Sequence, residues 1–305
     1  MRKKALFLQK KHLLATQNEE LVSLFREYLP GYEPFFVSST DEVRSKQFYH
    51  LVITSFLDFF PAVMKKIRKP EHLHITGSGT DKLREYEGEL DLDGVRITNS
   101  AGVNAVTISE HVIAGILTFA KNFHHYRDQQ SRKSWKRHWH TEVSGQRAAI
   151  IGVGNVGREV ARRCSALDLQ VTGCDVTVKT HPFVDAMRSI SELPEVVSTS
   201  DYVVFCVPLS PATRGLVNRK LLKHFKKSAV LINVSRGEVV DEHALIHHLR
   251  ENRLKGAVLD VFEEEPLPET HPFWELENVI ITPHVAGTTQ HYMQNMFRIL
   301  RDMLD

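Results

Sequence analysis

The stretch AAIIGVGNVGREVARRC, Ala148 to Cys164, decides the fold. Four apolar residues run into three glycines at 152, 154 and 157, and Val160, Ala161 and Cys164 then recur at helical spacing. A strand that turns sharply into a helix gives this pattern. Such a turn needs glycine three times: for the tight bend, for close approach of backbone to a pyrophosphate, and for packing of the helix on the strand. The helix N-terminus, with Asn155 and Val156 in its first turn, aims N–H groups at the phosphates. The next strand, LQVTGCD, ends in Asp175, at the distance the fingerprint requires. A carboxylate there accepts from the adenosine ribose and repels a 2′-phosphate, so NAD is expected in preference to NADP.

Working outward, RAAIIGVG, LQVTGCD, YVVFCV, AVLINVS, GAVLDVF and NVIITP form a series of short β-type runs separated by helical or loop segments. Alternation of this kind predicts a Rossmann-type, doubly wound parallel sheet. A smaller series, KALFLQ, PFFVSS, HLVIT, LHITG and RITNS, precedes it and predicts a second, flavodoxin-like α/β domain. Ala101 to Phe123 reads as a mostly apolar helix, starting near Asn104, that connects the two. The expected division is residues 1–100 with 285–305 for the smaller, substrate domain and 101–284 for the nucleotide domain. The closing helical segment is expected to pack back on the smaller domain.

A formal charge of +2 gives no global case for nucleic acid or membrane, although RDQQSRKSWKRHWH, Arg127 to His140, is locally basic. The longest apolar run, VIAGILTFA, is too short to span a bilayer. Cys164, Cys174 and Cys206 lie inside elements without metal-type spacing, so reduced, mostly buried thiols in a cytoplasmic compartment are expected, and no metal. MRKKALFLQKK starts basic, and the first acidic residue is Glu19, which suits a transit peptide. A first strand KALFLQ is the preferred reading, because Gln9 and Lys10 interrupt the apolar run too early for a signal core.

Three further segments stand at or just beyond strand C-termini, where open α/β sheets bind ligands: INVSRGEVVDEHAL, LDVFEEEPLP and ITPHVAGTT. With ITGSGTD (Ile75 to Asp81), GVNAVTISEH and CVPLSPATRGLVN, they make the sequence resemble the D-isomer-specific 2-hydroxyacid dehydrogenase family over most of its length. The resemblance implies NAD-dependent reduction of a 2-oxo acid to the D-2-hydroxy acid, and the reverse oxidation. Arg236 would bind the substrate carboxylate and polarise its keto oxygen, a task for a planar, always charged fork. His284 would be the proton donor and Glu265 its partner, leaving Glu263 and Glu264 as solvated loop. Asp260 would meet the nicotinamide carboxamide, with Val207, Pro208, Thr213, Val234, Ser235 and Gly287 also at the cofactor. Ser78 and Gly79 would grip the substrate carboxylate through backbone N–H groups, and Asn104 would cap the connecting helix near the cleft, among the substrate-binding residues.

Departures within the family narrow the substrate. Thr54 occupies the place taken as that of an arginine for a substrate phosphate, so a non-phosphorylated acid is expected. Formate-type members pair the histidine with glutamine and phosphite-type members carry a loop lysine, whereas Glu265 and Ser78 stand here. Phe56, with Phe59 or Phe60 behind it, suits an apolar lid, although core packing serves the latter two equally. The alternatives are a formate-type dehydrogenase and an NAD-sensing, corepressor-like binding protein on the same fold, for which Trp135 and Trp139 would offer the surface. The preferred reading of that basic, aromatic stretch is an arm of a homodimer.

Overall fold

The computed structural model describes residues 2–86 and 88–304; Met1, Glu87 and Asp305, at the ends and in the smaller expected domain, lie outside the described residues. The chain forms two compact units, Met1–Asn104 with Thr289–Asp305, and Ala105–Thr288. The crossings thus fall at 104 and 288, where the sequence suggested 100 and 284. Packing explains the difference, because Val103 is buried in the core of the first unit, while Val285 and Ala286 hydrogen-bond to Asp260 of the second.

The first unit is a parallel sheet of β1 (Lys3–Leu8), β2 (Tyr32–Val37), β3 (Leu51–Thr54), β4 (His72–Ile75) and β5 (Arg96–Asn99), in the order β2-β1-β3-β4-β5. That is the flavodoxin-like order. Leu6, Leu8, Val52, Leu73 and Ile75 pack on one face and Ala5, Phe7, Leu51 and Ile53 on the other, the period of two that a sheet covered on both sides requires. The second face is closed by the helix Lys11–Tyr28 and by the helix Tyr292–Leu304, whose Met296, Phe297 and Leu300 are fully buried. Phe297 meets Phe25 edge-on at 4.9 Å between ring centroids.

The second unit is a parallel sheet of β6 (Arg147–Ile151), β7 (Gln170–Asp175), β8 (Ala186–Ser189), β9 (Tyr202–Phe205), β10 (Val230–Asn233), β11 (Gly256–Leu259) and β12 (Val279–Ile281). Its order, β12-β11-β10-β9-β6-β7-β8, reverses direction between β6 and β9, so the C-terminal end of β6 lies at the switch point of a Rossmann-type sheet. Ala149, Ile151, Val203, Phe205, Leu231 and Leu259 face one side, and Ala148, Ile150, Val204, Ile232 and Val258 the other. The helix Ala105–Lys121 covers the latter side with Val112, Ile116 and Phe119, so it belongs to this core. It stops where Asn122 takes a left-handed φ of 56°, and a separate helix, Phe123–Ser131, follows. Burial pushes the Cys164 and Cys206 thiols up to about 12 and Cys174 to about 11, so all three are inert at neutral pH. Among the described residues no helix is long and apolar enough to cross a membrane.

Candidate active site

The three glycines divide their work as the spacing suggests. Gly152 has φ +90°, and a Cβ there would stand 2.9 Å from the Cys206 carbonyl oxygen. A Cβ on Gly157 would come within 2.0 Å of the Gly152 carbonyl oxygen, so this glycine lets the helix Asn155–Ser165 lie on β6. A Cβ on Gly154 would meet nothing within 4 Å, and no side chain caps the helix there. Open space in front of an uncapped helix N-terminus fits a dinucleotide pyrophosphate. Asp175 ends β7 beside this loop: its Oδ2 accepts from the Val153 N–H at 2.7 Å and its Oδ1 from the Thr177 N–H at 3.2 Å. Across the switch point, Val207 is buried against Gly152, and the Thr213 hydroxyl donates to the Pro208 carbonyl at 2.6 Å, tying off the loop after β9.

Arg236 follows β10. Its guanidinium donates to the Ser235 carbonyl at 2.7 Å, while buried Asn233 accepts from the Ser235 N–H and hydroxyl and donates to the Arg236 carbonyl. Val234 sits between them and donates its N–H to the Phe205 carbonyl of β9. Gly237 is where the chain can have no side chain, since a Cβ would lie 1.8 Å from the Phe262 carbonyl carbon. The loop carrying Arg236 therefore rests directly on the loop carrying Glu265.

Glu265 and His284 are paired. Nδ1 of His284 lies 2.7 Å from Oε2 of Glu265, and Oε1 of Glu265 accepts from the Phe262 N–H at 3.0 Å. An ionised carboxylate can only accept, so Nδ1 carries a proton and Nε2 is the ring atom left to face a ligand. His284 itself has φ +52°, a left-handed conformation that costs a side-chain-bearing residue on the order of 1–2 kcal/mol. The N–H groups of His284, Val285 and Ala286 converge on Asp260, at its carbonyl, Oδ1 and Oδ2, each at 2.9 Å. Asp260 is 2% exposed, and its carboxylate accepts from this turn and from the Thr282 hydroxyl. Gly287, half-buried, follows the turn.

Glu242 supports the site and was not singled out from the sequence. Its Oε1 accepts from the Glu263 N–H at 2.9 Å, and its Oε2 lies 3.2 Å from Nε2 of His271. Burial is the main reason its carboxyl is held above the usual range. A glutamate at the start of a helix reads as a favourable dipole contact, and only the folded chain reveals that it holds the loop of three glutamates.

Phe56, Ser78, Gly79 and Asn104 belong to the first unit. Ser78 follows β4 and is fixed by the Asn99 amide, which donates to its carbonyl at 2.7 Å. Among the described residues the N–H groups of Ser78 and Gly79 donate to no acceptor. Phe56 is half-buried at φ +55°, edge-on to the fully buried Phe60, which is core and no part of a lid. Two expectations need correcting. Asn104 does not cap the helix that begins at Ala105, because its Oδ1 is buried without a hydrogen-bond partner. Thr54 cannot mark a phosphate site, since it is the last, fully buried residue of β3; the exposed residues after it are Ser55 and Asp58.

The family model for "D-isomer specific 2-hydroxyacid dehydrogenase, NAD binding domain" matches residues 113–286. The glyoxylate reductase of Thermofilum pendens is 34% identical over 213 residues, 67% of this chain and 62% of its own. The D-3-phosphoglycerate dehydrogenase of Methanocaldococcus jannaschii is 29% identical over 243 residues, 79% of this chain, and the chain spans 46% of that protein's length. A D-isomer specific 2-hydroxyacid dehydrogenase from Xanthobacter autotrophicus Py2, solved with NADPH and MES, superposes with a TM-score of 0.79 at 27% identity, over 98% of this chain and 95% of its own. Glycine loop, Arg236 loop and Glu265–His284 pair all fall inside the matched region, and the chain belongs to the D-isomer specific 2-hydroxyacid dehydrogenase family.

Proposed function

We propose that the protein reduces a small, non-phosphorylated 2-oxo acid to the D-2-hydroxy acid, with NADH preferred over NADPH, and catalyses the reverse oxidation. The observation that carries this reading is the 2.7 Å pair of His284 and Glu265, which leaves Nε2 of the imidazole outward. Bound nicotinamide cofactor supplies the hydride that reaches the carbonyl carbon. Nε2–H of the imidazolium donates its proton to the carbonyl oxygen, while Nδ1–H stays on Glu265, so ring orientation is preserved through the step. Arg236 binds the substrate carboxylate and draws charge toward the carbonyl oxygen. The unpaired N–H groups of Ser78 and Gly79 are donors of the kind a carboxylate takes.

Several observations support the finer points. The second unit carries the dinucleotide site, and the first is read as the substrate domain. Asp175, fixed by the Val153 and Thr177 N–H groups, keeps a further lone pair on each oxygen for the ribose hydroxyls and sets a negative charge where a 2′-phosphate would sit. No cation stands among the residues following β3, from Ser55 to Asp58, which favours a substrate without a phosphate. Trp135 and Trp139 are 96% and 99% exposed, a cost a monomer has no reason to carry, and we assign this arm to a homodimer in the cytoplasm. The test is turnover with a panel of 2-oxo acids, phosphorylated ones included, with NADH and NADPH in parallel and chiral analysis of the product. No turnover with any acid, or the L-product, overturns the reading; a preference for NADPH overturns the role given to Asp175.

A further inference from the structure

We infer that Thr282 and His111 are positioning residues for His284, acting through Asp260; the inference rests on the reading of His284 as the proton donor. The turn that presents His284 has an unfavourable φ of +52° and is held because three successive N–H groups converge on Asp260. That arrangement works only if the Asp260 carboxylate keeps one orientation. Asp260 is 2% exposed, so protein donors rather than solvent fix its carboxylate.

Thr282, just past β12, supplies the fixing donor: its hydroxyl donates to Asp260 Oδ1 at 2.6 Å. A hydroxyl has a single proton, so toward any other neighbour the Thr282 oxygen can only accept. The neighbour is Nε2 of His111, at 3.3 Å, on the helix Ala105–Lys121. Nε2 must then carry the proton, and the bonds run in one direction, from His111 to Thr282 to Asp260. Three elements, a helix and the ends of β11 and β12, are joined by this chain to the turn of the proton donor. Without the Thr282 hydroxyl, Oδ1 loses the donor that sets its direction, and a carboxylate deprived of a donor in a dry site swings toward any other that it can reach. Val285 and Ala286 then lose their acceptor, and Nε2 of His284 loses its aim.

The pair Thr282→Val and Thr282→Ser isolates the hydroxyl, since valine keeps the shape and serine keeps the donor. Four quantities are compared with wild type: kcat and KM for the best 2-oxo acid, the NADH dissociation constant by fluorescence, and hydrogen exchange of the amides of 284, 285 and 286 by NMR. Thr282→Val is expected to lower kcat between about 10- and 100-fold, as misplacement of a reacting group does. KM and NADH binding should stay at wild-type values, and the three amides should lose protection while those of β6 and β7 keep it. Thr282→Ser should restore kcat and protection together. His111→Leu breaks the chain one link further out and should give a smaller loss of the same kind; if Thr282→Val does not fold, this variant decides. Wild-type kcat with wild-type protection in the deciding variant overturns the inference, as does failure of Thr282→Ser to restore either. If the wild-type protein reduces no 2-oxo acid, the proposed function falls, and amide protection alone judges the positioning role.

Discussion

Acid should loosen the first unit through two histidines that its sheet has buried. His72 and His74 sit on β4 on the side of Leu51 and Ile53, their partners in register on β3. A chain of hydrogen bonds joins them: His72 Nε2 to Thr98 Oγ1 at 2.6 Å, Thr98 Oγ1 to His74 Nδ1 at 2.8 Å, and His74 Nε2 to Ser100 Oγ at 2.8 Å. Burial above all, then the nearby Arg96, pushes His72 from the ordinary 6.5 down to about 4; burial, then His72, does the same to His74. An unfolded chain takes up these protons below pH 6.5 and the folded one does not, so stability is complete above 6.5 and declines as pH falls toward 4. At pH 5 the loss is about 2 kcal/mol per histidine, and the full shift corresponds to roughly 3 kcal/mol each. Against a total stability of about 5–15 kcal/mol this is a large fraction. The assay is urea unfolding from pH 7.5 to 5, with the histidine Cε1–H resonances as probe of the first unit, because Trp135, Trp139 and Trp274 all lie in the second. His74→Gln keeps hydrogen-bonding capacity, cannot ionise, and should flatten the decline by about half. A urea midpoint independent of pH, or an unaltered slope in His74→Gln, would refute the reasoning. Function is touched as well, since the Ser100 N–H donates to the Gly77 carbonyl and the Ser78 hydroxyl to the Ser100 carbonyl, so the Ser78–Gly79 loop rests on the end of the chain.

The glycines of the nucleotide loop should separate in their effects. Gly154→Ala should leave thermal stability alone and weaken NADH binding, read by fluorescence titration, while Gly157→Ala should lower stability by about 1–3 kcal/mol or more, because its Cβ meets backbone. Arg236→Lys replaces a planar fork by a point charge and should lose about 2–4 kcal/mol of transition-state stabilisation; near-normal kcat/KM would contradict its assignment. Glu265→Gln has one oxygen for two donors, the His284 ring and the Phe262 N–H, so the imidazole loses its fixed tautomer. Its kcat should fall about 10²- to 10⁴-fold with little change in KM, and an unchanged kcat would return Glu265 to the solvated loop.

The parts legible in the sequence are those governed by local rules. Eleven runs read as strands are strands, since interior parallel strands are continuously apolar and end at turn residues. β8 escaped because it is an edge strand, Ala186–Ser189, with no fully buried residue and hence no hydrophobic signature. The break at Asn122 escaped because a left-handed residue leaves no mark in an apolar periodicity. At the site, Glu265 could be told from its two neighbours by its place before Pro266 and by resemblance, but Asp260 and Glu242 act by accepting backbone N–H groups from loops distant in sequence. Such roles depend on which loops meet, and the pairing of His72 with Thr98 depends likewise on the register of β4 against β5.

The helix Tyr292–Leu304 has a consequence for synthesis. Residues 105–288 are one uninterrupted segment and can complete their sheet as soon as they leave the ribosome. The first unit cannot, because Phe7 and Phe25, made before that segment, await Phe297, made after it. At about 5–20 residues per second the stretch from Phe25 to Phe297 occupies roughly 15–55 s, during which an aromatic face lacks its cover. The nascent chain therefore carries, ahead of a finished second unit, an open hydrophobic surface of the kind that chaperones bind, and losing the last helix would make that state permanent.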